Sequence, residues 1–335
     1  MHIGIVRLSA LGDVTLFSGV VPLLQQAHPG ARITWMVGAP NDLVLQGLPG
    51  LEVEILDKPG GPADYLAIKR RFRDTEFDIL LCGNASFRAN LLYACLKARR
   101  KIGWGGRRAR DGHRWFIHEA IPDADEHLMD GFLRLASAAG ADATRFKGWQ
   151  LPISEGDRAF AVEHLPGGPW IAVNASASKP ERDWPVDRFI DLIEELQRGG
   201  FDVVLTGGPG PVEMAAAESI VTATGCHNLC GKTTPLRLAA TYQRCSALVS
   251  PDSGPVHLAR AVDTPVVGLY AVARPELSGP YRALEYTVNA YPEAARKFLR
   301  TSTPHWHQRV HNAEAMTLIR VQDVLERLQM ATRQR

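Results

Sequence analysis

Short apolar runs alternate with amphipathic stretches along the first half of the chain. Apolar runs bounded by glycine, proline or polar clusters are typical of buried strands, and apolar residues three and four positions apart are typical of helices. The pattern predicts strands at 3–7, 32–37, 53–56, 77–82 and 115–118, and helices at 14–27, 65–73, 90–97 and 126–139. Such alternation indicates βαβ units and a parallel sheet.

The second half repeats this pattern more regularly. Strands are predicted at 170–174, 201–206, 247–250 and 265–270, and helices at 185–198, 211–224, 235–244 and 256–262. A last amphipathic stretch at 313–329 predicts one helix, which cannot fold alone and must pack on a domain.

Glycine and proline concentrate between residues 148 and 168, where we expect a domain boundary. The sequence therefore predicts two Rossmann-like α/β domains at 1–155 and 166–300 that face each other across a cleft, with a helix at 313–330 packed back on one of them. Ligands of such domains bind at the carboxyl ends of strands and in interdomain clefts.

The chain has 335 residues, of which 45% are hydrophobic and 22% charged, as in soluble globular proteins. Its net charge of +2 gives no reason to expect a nucleic-acid partner. Basic residues nevertheless cluster at 69–73 and 97–114. Two interpretations stand: solvated helix ends, or a surface for an anionic substrate or an anionic membrane.

The five cysteines favour a reducing compartment. Cys226 and Cys230 have no second cysteine pair that would complete a zinc site. The N-terminus reads as a strand rather than a signal peptide, and no apolar run approaches the ~18 residues of a membrane span. We expect a cytoplasmic protein.

One predicted strand-to-helix loop, from Ser250 to His257, has a phosphate-binding pattern. Helix N-termini present unpaired N–H groups, and Gly254 lets a ligand approach the backbone. His257 could add a hydrogen bond or a charge. Asp252 would repel a phosphate, so we expect it to cap the helix. The alternative is an ordinary capped helix with a core histidine.

The first strand-to-helix loop contains Gly12 and Asp13. Asp13 stands where a helix N-cap belongs, and on its own it is best interpreted as that cap. The functional alternative is a general base, because a carboxylate facing the cleft could take the proton of an attacking hydroxyl.

A third loop, 174–185, follows the first strand of the second half. Its cations Lys179 and Arg182 could neutralise a diphosphate leaving group without a metal. A solvated loop is an equally good interpretation.

Together these loops resemble those of the heptosyltransferases that build the lipopolysaccharide inner core, glycosyltransferase family 9. The family's opening Gly-Asp matches Gly12-Asp13, its Asp-Ser/Thr-Gly-x-x-His motif matches 252–257, and its Asn-to-Lys-x-Trp-Pro motif matches 174–185. The resemblance covers nearly the whole chain. It implies the GT-B fold, an α/β architecture of two doubly wound Rossmann-like domains facing a cleft.

The resemblance also implies a reaction. A heptose would pass with inversion from ADP-heptose to a hydroxyl of an anionic inner-core acceptor, with no metal and no cofactor. Domain 1–155 would bind the acceptor and domain 166–300 the nucleotide sugar, and the protein could touch the cytoplasmic face of the inner membrane. Asp13 would be the catalytic base, Glu213 would bind the ribose, and Thr233 would lie near the adenine. The implied donor-binding residues are Ser176, Ser178, Lys179, Arg182, Glu213, Thr233, Asp252, Ser253, Gly254 and His257.

The chain departs from the family pattern at three places. The lysine before Trp-Pro is Arg182 here, and Lys179 could share its role. A Gly-Pro-Thr-like turn is replaced by Ala-Val-Ala at 271–273, which bears on the donor sugar. The histidines at 305, 307 and 311 stand where some relatives carry cysteines, and packed or solvated side chains are favoured over a surface metal site.

Three alternatives remain open. The first is a GT-B enzyme that uses another sugar nucleotide, and the second is a non-catalytic sugar-nucleotide binder. The third is a nicotinamide dehydrogenase, which would have Gly-x-Gly-x-x-Gly after a strand. The glycines at 207, 208 and 210 have the wrong spacing for that pattern.

Overall fold

The computed structural model describes residues 1–333 and divides into two compact units, 1–152 and 153 onward. The first unit contains a six-stranded, wholly parallel sheet with the order β3-β2-β1-β4-β5-β6. Its elements are β1 (His2–Val6), α1 (Leu11–Ser18), α2 (Val21–Ala27), β2 (Arg32–Val37), β3 (Leu51–Ile55), α3 (Pro62–Arg71), β4 (Glu76–Cys82), α4 (Phe87–Cys95), β5 (Lys97–Trp104), β6 (Glu119–Ile121) and α5 (Leu128–Ala138).

The second unit has the same winding, with the order β12-β11-β10-β7-β8-β9. Its elements are α6 (Glu155–His164), β7 (Trp170–Asn174), α7 (Val186–Arg198), β8 (Asp202–Thr206), α8 (Pro211–Thr224), β9 (His227–Asn228), α9 (Pro235–Arg244), β10 (Cys245–Pro251), α10 (Gly254–Arg260), β11 (Val266–Tyr270), α11 (Pro275–Ser278), β12 (Val288–Asn289), α12 (Tyr291–Ala294) and α13 (Val321–Thr332).

Both orders place the first strand of a unit beside its fourth, so that the chain turns in opposite directions from this central pair. Ligands of open α/β sheets bind outside the carboxyl ends of strands at such a switch point. We therefore expect ligand sites at the loops after β1 and β4 in the first unit and at the loops after β7 and β10 in the second. The two doubly wound parallel sheets confirm the predicted fold class.

Aromatic rings join the helices of the first unit to its sheet. Phe17 of α1 lies edge-on to Trp35 of β2 and to Phe132 of α5, with ring centroids 5.3 and 4.8 Å apart. All three rings are fully buried or nearly so. This packing fixes α1, and with it the loop that precedes α1.

Trp184 has the corresponding role in the second unit. Its ring packs edge-on against Phe189 of α7 at 5.0 Å, and its Nε1 donates to the Ile319 carbonyl at 3.1 Å. The tail thus packs on its own unit, with α13 against α7 and the neighbouring strands. The predicted single helix at 313–329 is interrupted there: a 3₁₀ turn spans Ala313–Leu318 and α13 follows, because the Ile319 carbonyl bonds Trp184 instead of continuing a helix.

Three other element predictions were wrong. The helix predicted at 14–27 is two helices, because Pro22 has no N–H to continue α1. The charged segment inside the predicted boundary forms α6, which Ser154 and Asp157 cap reciprocally. The strand predicted at 115–118 is absent: a 3₁₀ turn spans His113–Trp115, and β6 begins at Glu119.

The basic stretch after residue 96 forms β5, which sequence analysis did not predict. Cations at alternate positions made it look like a solvated helix end. The strand pairs with β4 and β6, and Arg100 pairs with Glu119 of β6 at 2.6 Å. None of the helices within residues 1–333 combines the length and the hydrophobicity of a membrane span.

Candidate active site

The loop between β1 and α1 carries the predicted base, Asp13. Its carboxylate accepts a hydrogen bond from the Ala10 backbone N–H at 3.4 Å and forms an ion pair with the Arg7 guanidinium. Ala10 is the N-cap of α1, and Asp13 stands three positions later in the first turn. The prediction that Asp13 is an N-cap was wrong. About a quarter of its side chain is exposed (26%), which leaves the carboxylate reachable by a ligand.

Arg7 is fixed on several sides. Its Nη1 donates to the Gly83 carbonyl at 2.5 Å, and its guanidinium lies 5.4 Å from the centre of the Phe132 ring. A side chain at position 83 would place its Cβ 3.0 Å from the Val6 carbonyl oxygen, so only glycine fits there without a shift. The guanidinium is therefore held at the carboxyl ends of β1 and β4, where it orients Asp13.

A pocket of about 460 Å³ opens at the same edge of this sheet. Leu8 and Ser9 of the first loop line it together with Asn84, whose Oδ1 accepts from the Leu8 N–H at 3.1 Å. Lys58 and Arg88 also line it, and neither forms an ion pair with another residue in 1–333. Asp111 lines the pocket as well, so the lining carries two cations and one acid, and its net positive charge favours an anionic ligand.

At the carboxyl edge of the second sheet, Asn174 links the ends of β7 and β10. Its Nδ2 donates to the Ser176 carbonyl at 2.7 Å, to Ser250 Oγ at 3.1 Å and to Ser253 Oγ at 3.3 Å. The two serine hydroxyls lie 2.9 Å apart. Because Asn174 is buried, this network fixes the loop that leads into α10.

Arg182 and Asp252 form a nearly buried ion pair beside this network. Arg182 Nη1 lies 3.2 Å from Asp252 Oδ2 and donates to the Asp252 carbonyl at 3.2 Å. Asp252 Oδ1 also accepts from Ser278 Oγ at 3.3 Å. The N-cap of α10 is Ser253, so the prediction that Asp252 caps this helix was wrong. The carboxylate instead compensates the nearly buried Arg182 guanidinium.

Glu213 connects this edge to the loop after β8. Its Oε1 accepts from Ser176 Oγ at 3.0 Å and its Oε2 from the Gly210 N–H at 3.3 Å. A Cβ at position 208 would lie 2.5 Å from Glu213 Oε2, so a side chain there would displace the Glu213 carboxylate. Nearby Asp183 accepts from the Ala177 N–H at 2.7 Å, and its burial, together with the Glu213 charge, raises the pKa of its carboxyl.

The structure brings together most, but not all, of the predicted donor residues. Ser176, Arg182, Glu213, Asp252, Ser253 and Gly254 lie in the network or beside it, and His257 is buried at the end of the first turn of α10. Ser178 and Lys179 are exposed, and Thr233 is half-buried ahead of α9. No hydrogen bond or ion pair joins these three side chains to the network within the described chain.

The basic segment at 97–114 divides into two sets. Several of its arginines are paired with acids and lie on β5 or on the 3₁₀ turn that follows it, so they are not the helix ends that one interpretation expected. The pairs are Arg99 with Asp78 at 3.3 Å, Arg100 with Glu119 at 2.6 Å, Arg107 with Asp123 at 2.5 Å and Arg108 with Glu126 at 3.5 Å. Arg110 and Arg114 are exposed, and no ion pair within 1–333 involves them.

The candidate metal ligands are not grouped. No three His, Cys, Asp or Glu side chains in the described part of the chain are placed to hold an ion. His311 Nδ1 lies 3.1 Å from Glu181 Oε1. Cys226 and Cys230 are buried, and burial raises the pKa of Cys230 to about 12, so it is a thiol at neutral pH.

Sequence analysis did not assign roles to Arg7, Asn174 or Asn84. Each stands just after a predicted strand or at its last position, so the residue type and place were visible in the sequence. What was missing was the strand order, which puts β1 beside β4 and β7 beside β10. Only that order makes these residues neighbours of the loops that carry the motifs.

The chain has two doubly wound sheets. The switch point of the second sheet carries a cation, hydroxyls and a carboxylate, and the switch point of the first sheet carries a carboxylate. These are features of a GT-B glycosyltransferase. Comparison with known proteins agrees. Residues 65–307 match Glycosyltransferase family 9 (heptosyltransferase). The lipopolysaccharide core heptosyltransferase OpsX of Haemophilus influenzae is 32% identical over 329 residues, which cover 96% of this chain and 94% of that protein.

Solved structures share the fold. A family 9 glycosyl transferase from Veillonella parvula aligns with a TM-score of 0.81 at 22% identity, covering 100% of this chain and 97% of the other. The ADP-heptose heptosyltransferase II of E. coli aligns with a TM-score of 0.74 at 21% identity, covering 100% and 99%. The chain belongs to glycosyltransferase family 9, and the predicted resemblance is confirmed. The protein is a glycosyltransferase, so it is neither a nicotinamide dehydrogenase nor a non-catalytic sugar-nucleotide binder.

Proposed function

We propose that the protein transfers a heptose from ADP-heptose to a hydroxyl of an anionic lipopolysaccharide inner-core acceptor, either Kdo–lipid A or a heptose already attached to it. Family membership sets the reaction class. The observation that carries the proposal is the nearly buried Arg182–Asp252 pair, joined to hydroxyls at the switch point of the second sheet. A fixed cation among hydroxyls is suited to a diphosphate.

The donor diphosphate would lie against Arg182, Ser253, Gly254 and His257. Arg182 Nε is buried and has no hydrogen-bond partner among the described residues, so the guanidinium keeps a donor for a phosphate oxygen. In this proposal the leaving group is neutralised by the guanidinium rather than by a metal. Transfer should then persist in EDTA.

The other donor residues would surround the diphosphate and the nucleoside. Ser176 and the exposed Ser178 and Lys179 would flank the phosphates. Glu213 would accept from the ribose hydroxyls, exchanging its bond with Ser176 for one with the sugar. Thr233 would lie near the adenine. Carboxylates bonded to sugar hydroxyls recur in nucleotide-binding α/β folds.

In the proposed reaction, the acceptor hydroxyl loses its proton to Asp13 as its oxygen bonds to the anomeric carbon of the heptose. The bond from that carbon to the diphosphate breaks, and its electron pair leaves with ADP. Attack opposite the leaving group inverts the anomeric centre. Arg7 is a positioning residue, since its contacts with Gly83 and Phe132 hold it where it orients the Asp13 carboxylate.

The acceptor would bind in the pocket of about 460 Å³ in the first unit. Lys58 and Arg88 would face the acid groups of the acceptor, and Asn84 its hydroxyls. An acceptor with a lipid anchor also requires the protein to reach a membrane, so peripheral contact with the cytoplasmic face of the inner membrane is part of the proposal.

The test is incubation of the protein with ADP-heptose and a panel of truncated lipopolysaccharide acceptors, followed by mass spectrometry. One acceptor should gain a single heptose unit. Parallel reactions with UDP- and GDP-sugars test the alternative that another sugar nucleotide is the donor. Gain of a hexose from those donors, with none from ADP-heptose, would overturn the proposed donor.

A further inference from the structure

Two aromatic rings stand exposed on the first unit. The side chain of Trp115 is 87% exposed and that of Phe87 is 60% exposed. Other large aromatic residues of this unit, such as Trp35 and Tyr93, are buried in the core. Exposed aromatic rings on neighbouring segments of a surface are typical of interaction sites.

The segments that carry these rings are tied together. The Phe87 N–H donates to the Asp111 carboxylate at 2.9 Å. Asn90 Nδ2 donates to the carbonyl of Arg110 at 3.2 Å and to that of Asp111 at 2.9 Å. The loop 110–115 is therefore held against the start of α4.

Buried His113 anchors the same loop from inside. Its Nδ1 lies 2.7 Å from Asn90 Oδ1, and its Nε2 accepts from the Trp104 N–H at 3.1 Å. The Trp115 ring packs over Gly112, where an added Cβ would come within 2.8 Å of the indole. Trp115 is thus displayed by a fixed loop. We call the surface formed by Phe87, Arg88, Arg110, Arg114 and Trp115 the aromatic–arginine face.

The face has a net positive charge, because its three arginines outnumber one acid, Asp111, whose carboxylate accepts from the Phe87 N–H. Arg88, Arg110 and Arg114 are exposed, and none of them forms an ion pair with another residue in 1–333. Arginines elsewhere in the same basic segment, such as Arg99 and Arg107, are paired with acids. The face thus combines unpaired cations with apolar rings, which complements an anionic, amphiphilic partner.

An apolar groove continues the face. It has a volume of about 550 Å³, and Tyr65, Leu91 and Cys95 line it between α3 and α4. Phe87 and Arg88 line both this groove and the polar pocket proposed for the acceptor. Polar and apolar concavities that share a wall suit a ligand with a charged head and an apolar tail.

We propose that the aromatic–arginine face docks on an anionic lipid bilayer. Trp and Tyr side chains favour the membrane–water interface, where the ring meets the acyl boundary. Each Lys or Arg near an anionic bilayer contributes about 1 kcal/mol to binding. The inference rests on the proposed function in one respect, that the acceptor is anchored in a membrane. Bilayer binding itself needs neither donor nor acceptor.

Vesicle flotation tests the proposal with the full chain. Phosphatidylcholine vesicles with and without phosphatidylglycerol are used, in low and in high salt, without any acceptor, and a further set of phosphatidylcholine vesicles contains the lipopolysaccharide acceptor. The protein should float with the phosphatidylglycerol vesicles and be released by salt. With brominated lipids, tryptophan fluorescence should be quenched, and Trp115→Phe should lose most of that quenching while it still floats.

Variants that do not line the acceptor pocket separate docking from catalysis. The double change Arg110→Gln/Arg114→Gln should weaken vesicle binding by about thirtyfold, since each cation contributes about 1 kcal/mol and about 1.4 kcal/mol is tenfold. Adding Trp115→Ser to this double variant should weaken vesicle binding further. The matched control Arg99→Gln/Arg107→Gln removes the same net charge from paired arginines and should bind within a factor of about two. Transfer to a delipidated acceptor should be unchanged in Trp115→Ser, which also verifies folding.

Three outcomes would overturn the proposal: no binding of the unchanged protein to anionic vesicles, equal binding of the variants and the control pair, or binding only to vesicles that contain the acceptor. The last result would make the face part of acceptor recognition. Because heptose transfer to a delipidated acceptor is measured separately, failure of docking and failure of the proposed function are distinguishable.

Discussion

The switch points of the two sheets carry sites of opposite character, although both sheets have the same strand order. In the second unit the polar groups bond one another: Arg182 with Asp252, and Ser176 with Glu213. In the first unit, Lys58 and Arg88 line an open pocket, and within 1–333 neither has an ion-pair partner. The fold supplies the location in both units, and the loops decide the chemistry.

The difference has a physical consequence. Groups already oriented by one another bind a ligand with little reorganisation, which suits a small and constant ligand such as a nucleotide sugar. An open, cationic pocket suits a larger ligand that brings its own acids. Arg7 and Asp13 are the exception in the first unit, since their ion pair is as constrained as those of the second unit.

Removing the base should have the largest effect. Asp13→Asn should slow transfer by about a thousandfold, because general base catalysis contributes typically 10²–10⁴-fold. ADP affinity should be unchanged, because the donor residues belong to the second unit. Single-turnover transfer and calorimetric ADP titration measure the two quantities.

Asp64→Asn is the matched control for that change. Asp64 has the same place in α3 that Asp13 has in α1, and it accepts from the Gly61 N–H at 3.0 Å. Its loss removes an equivalent helix-capping interaction without touching the proposed base. A small, equal effect of both changes on transfer would show that Asp13 only stabilises α1.

Breaking the donor-side ion pair should come next. Arg182→Met should lower the free energy of unfolding by about 3 kcal/mol, because it leaves the buried Asp252 carboxylate uncompensated. Urea unfolding measures this loss. Adding Asp252→Asn should restore most of the stability but not ADP affinity, since the cation stays absent. Recovery of ADP affinity in the double variant would rule out a contact between Arg182 and the diphosphate.

The first unit should also be the more sensitive to acid. Burial lowers the pKa of His113 to about 4, whereas an unfolded histidine titrates near its usual value. Below about pH 6.5 the unfolded chain binds a proton that the folded chain does not. The free energy of unfolding should therefore decrease by about 2 kcal/mol as the pH is lowered from 7 to 4.5. The measurement is urea unfolding between pH 7 and 4.5, and His113→Gln should flatten the slope by this amount. If the pH dependence of the unfolding free energy were the same in His113→Gln as in the unchanged protein, His113 would not be its source.

The smallest effect should come from the ribose contact. Glu213→Gln should weaken ADP binding by about tenfold, as expected for loss of one charge-assisted hydrogen bond. Binding of 2′,3′-dideoxy-ADP should change much less. Ser176→Ala, which removes the protein's own partner for Glu213, serves as the control and should not discriminate between the two nucleotides. Equal losses for both nucleotides in Glu213→Gln would place Glu213 away from the ribose.

Sequence analysis succeeded where local signals were strong. β1, β4, β7 and β11 are apolar runs buried on both faces of a sheet, and they were predicted within one or two residues. It failed at β5, because the acids that pair with its arginines lie on the neighbouring strands, Asp78 on β4 and Glu119 on β6, and not within the segment itself. It also assigned Asp252 wrongly as a helix cap, because Arg182, the cation that pairs with this carboxylate, lies 70 residues earlier in the chain.

The sequence by itself determined the fold class, the family and the three motif loops, because each depends on residues close together in the chain. Tertiary structure decided which side chains act together. Strand order brings Asn174 to Ser253, Arg182 to Asp252 and Arg7 to Gly83. It also decided which arginines of one basic segment are paired and which, Arg110 and Arg114, remain available. Hydrogen bonds and ion pairs depend on distance in space, which the strand order sets and the spacing of residues along the chain does not.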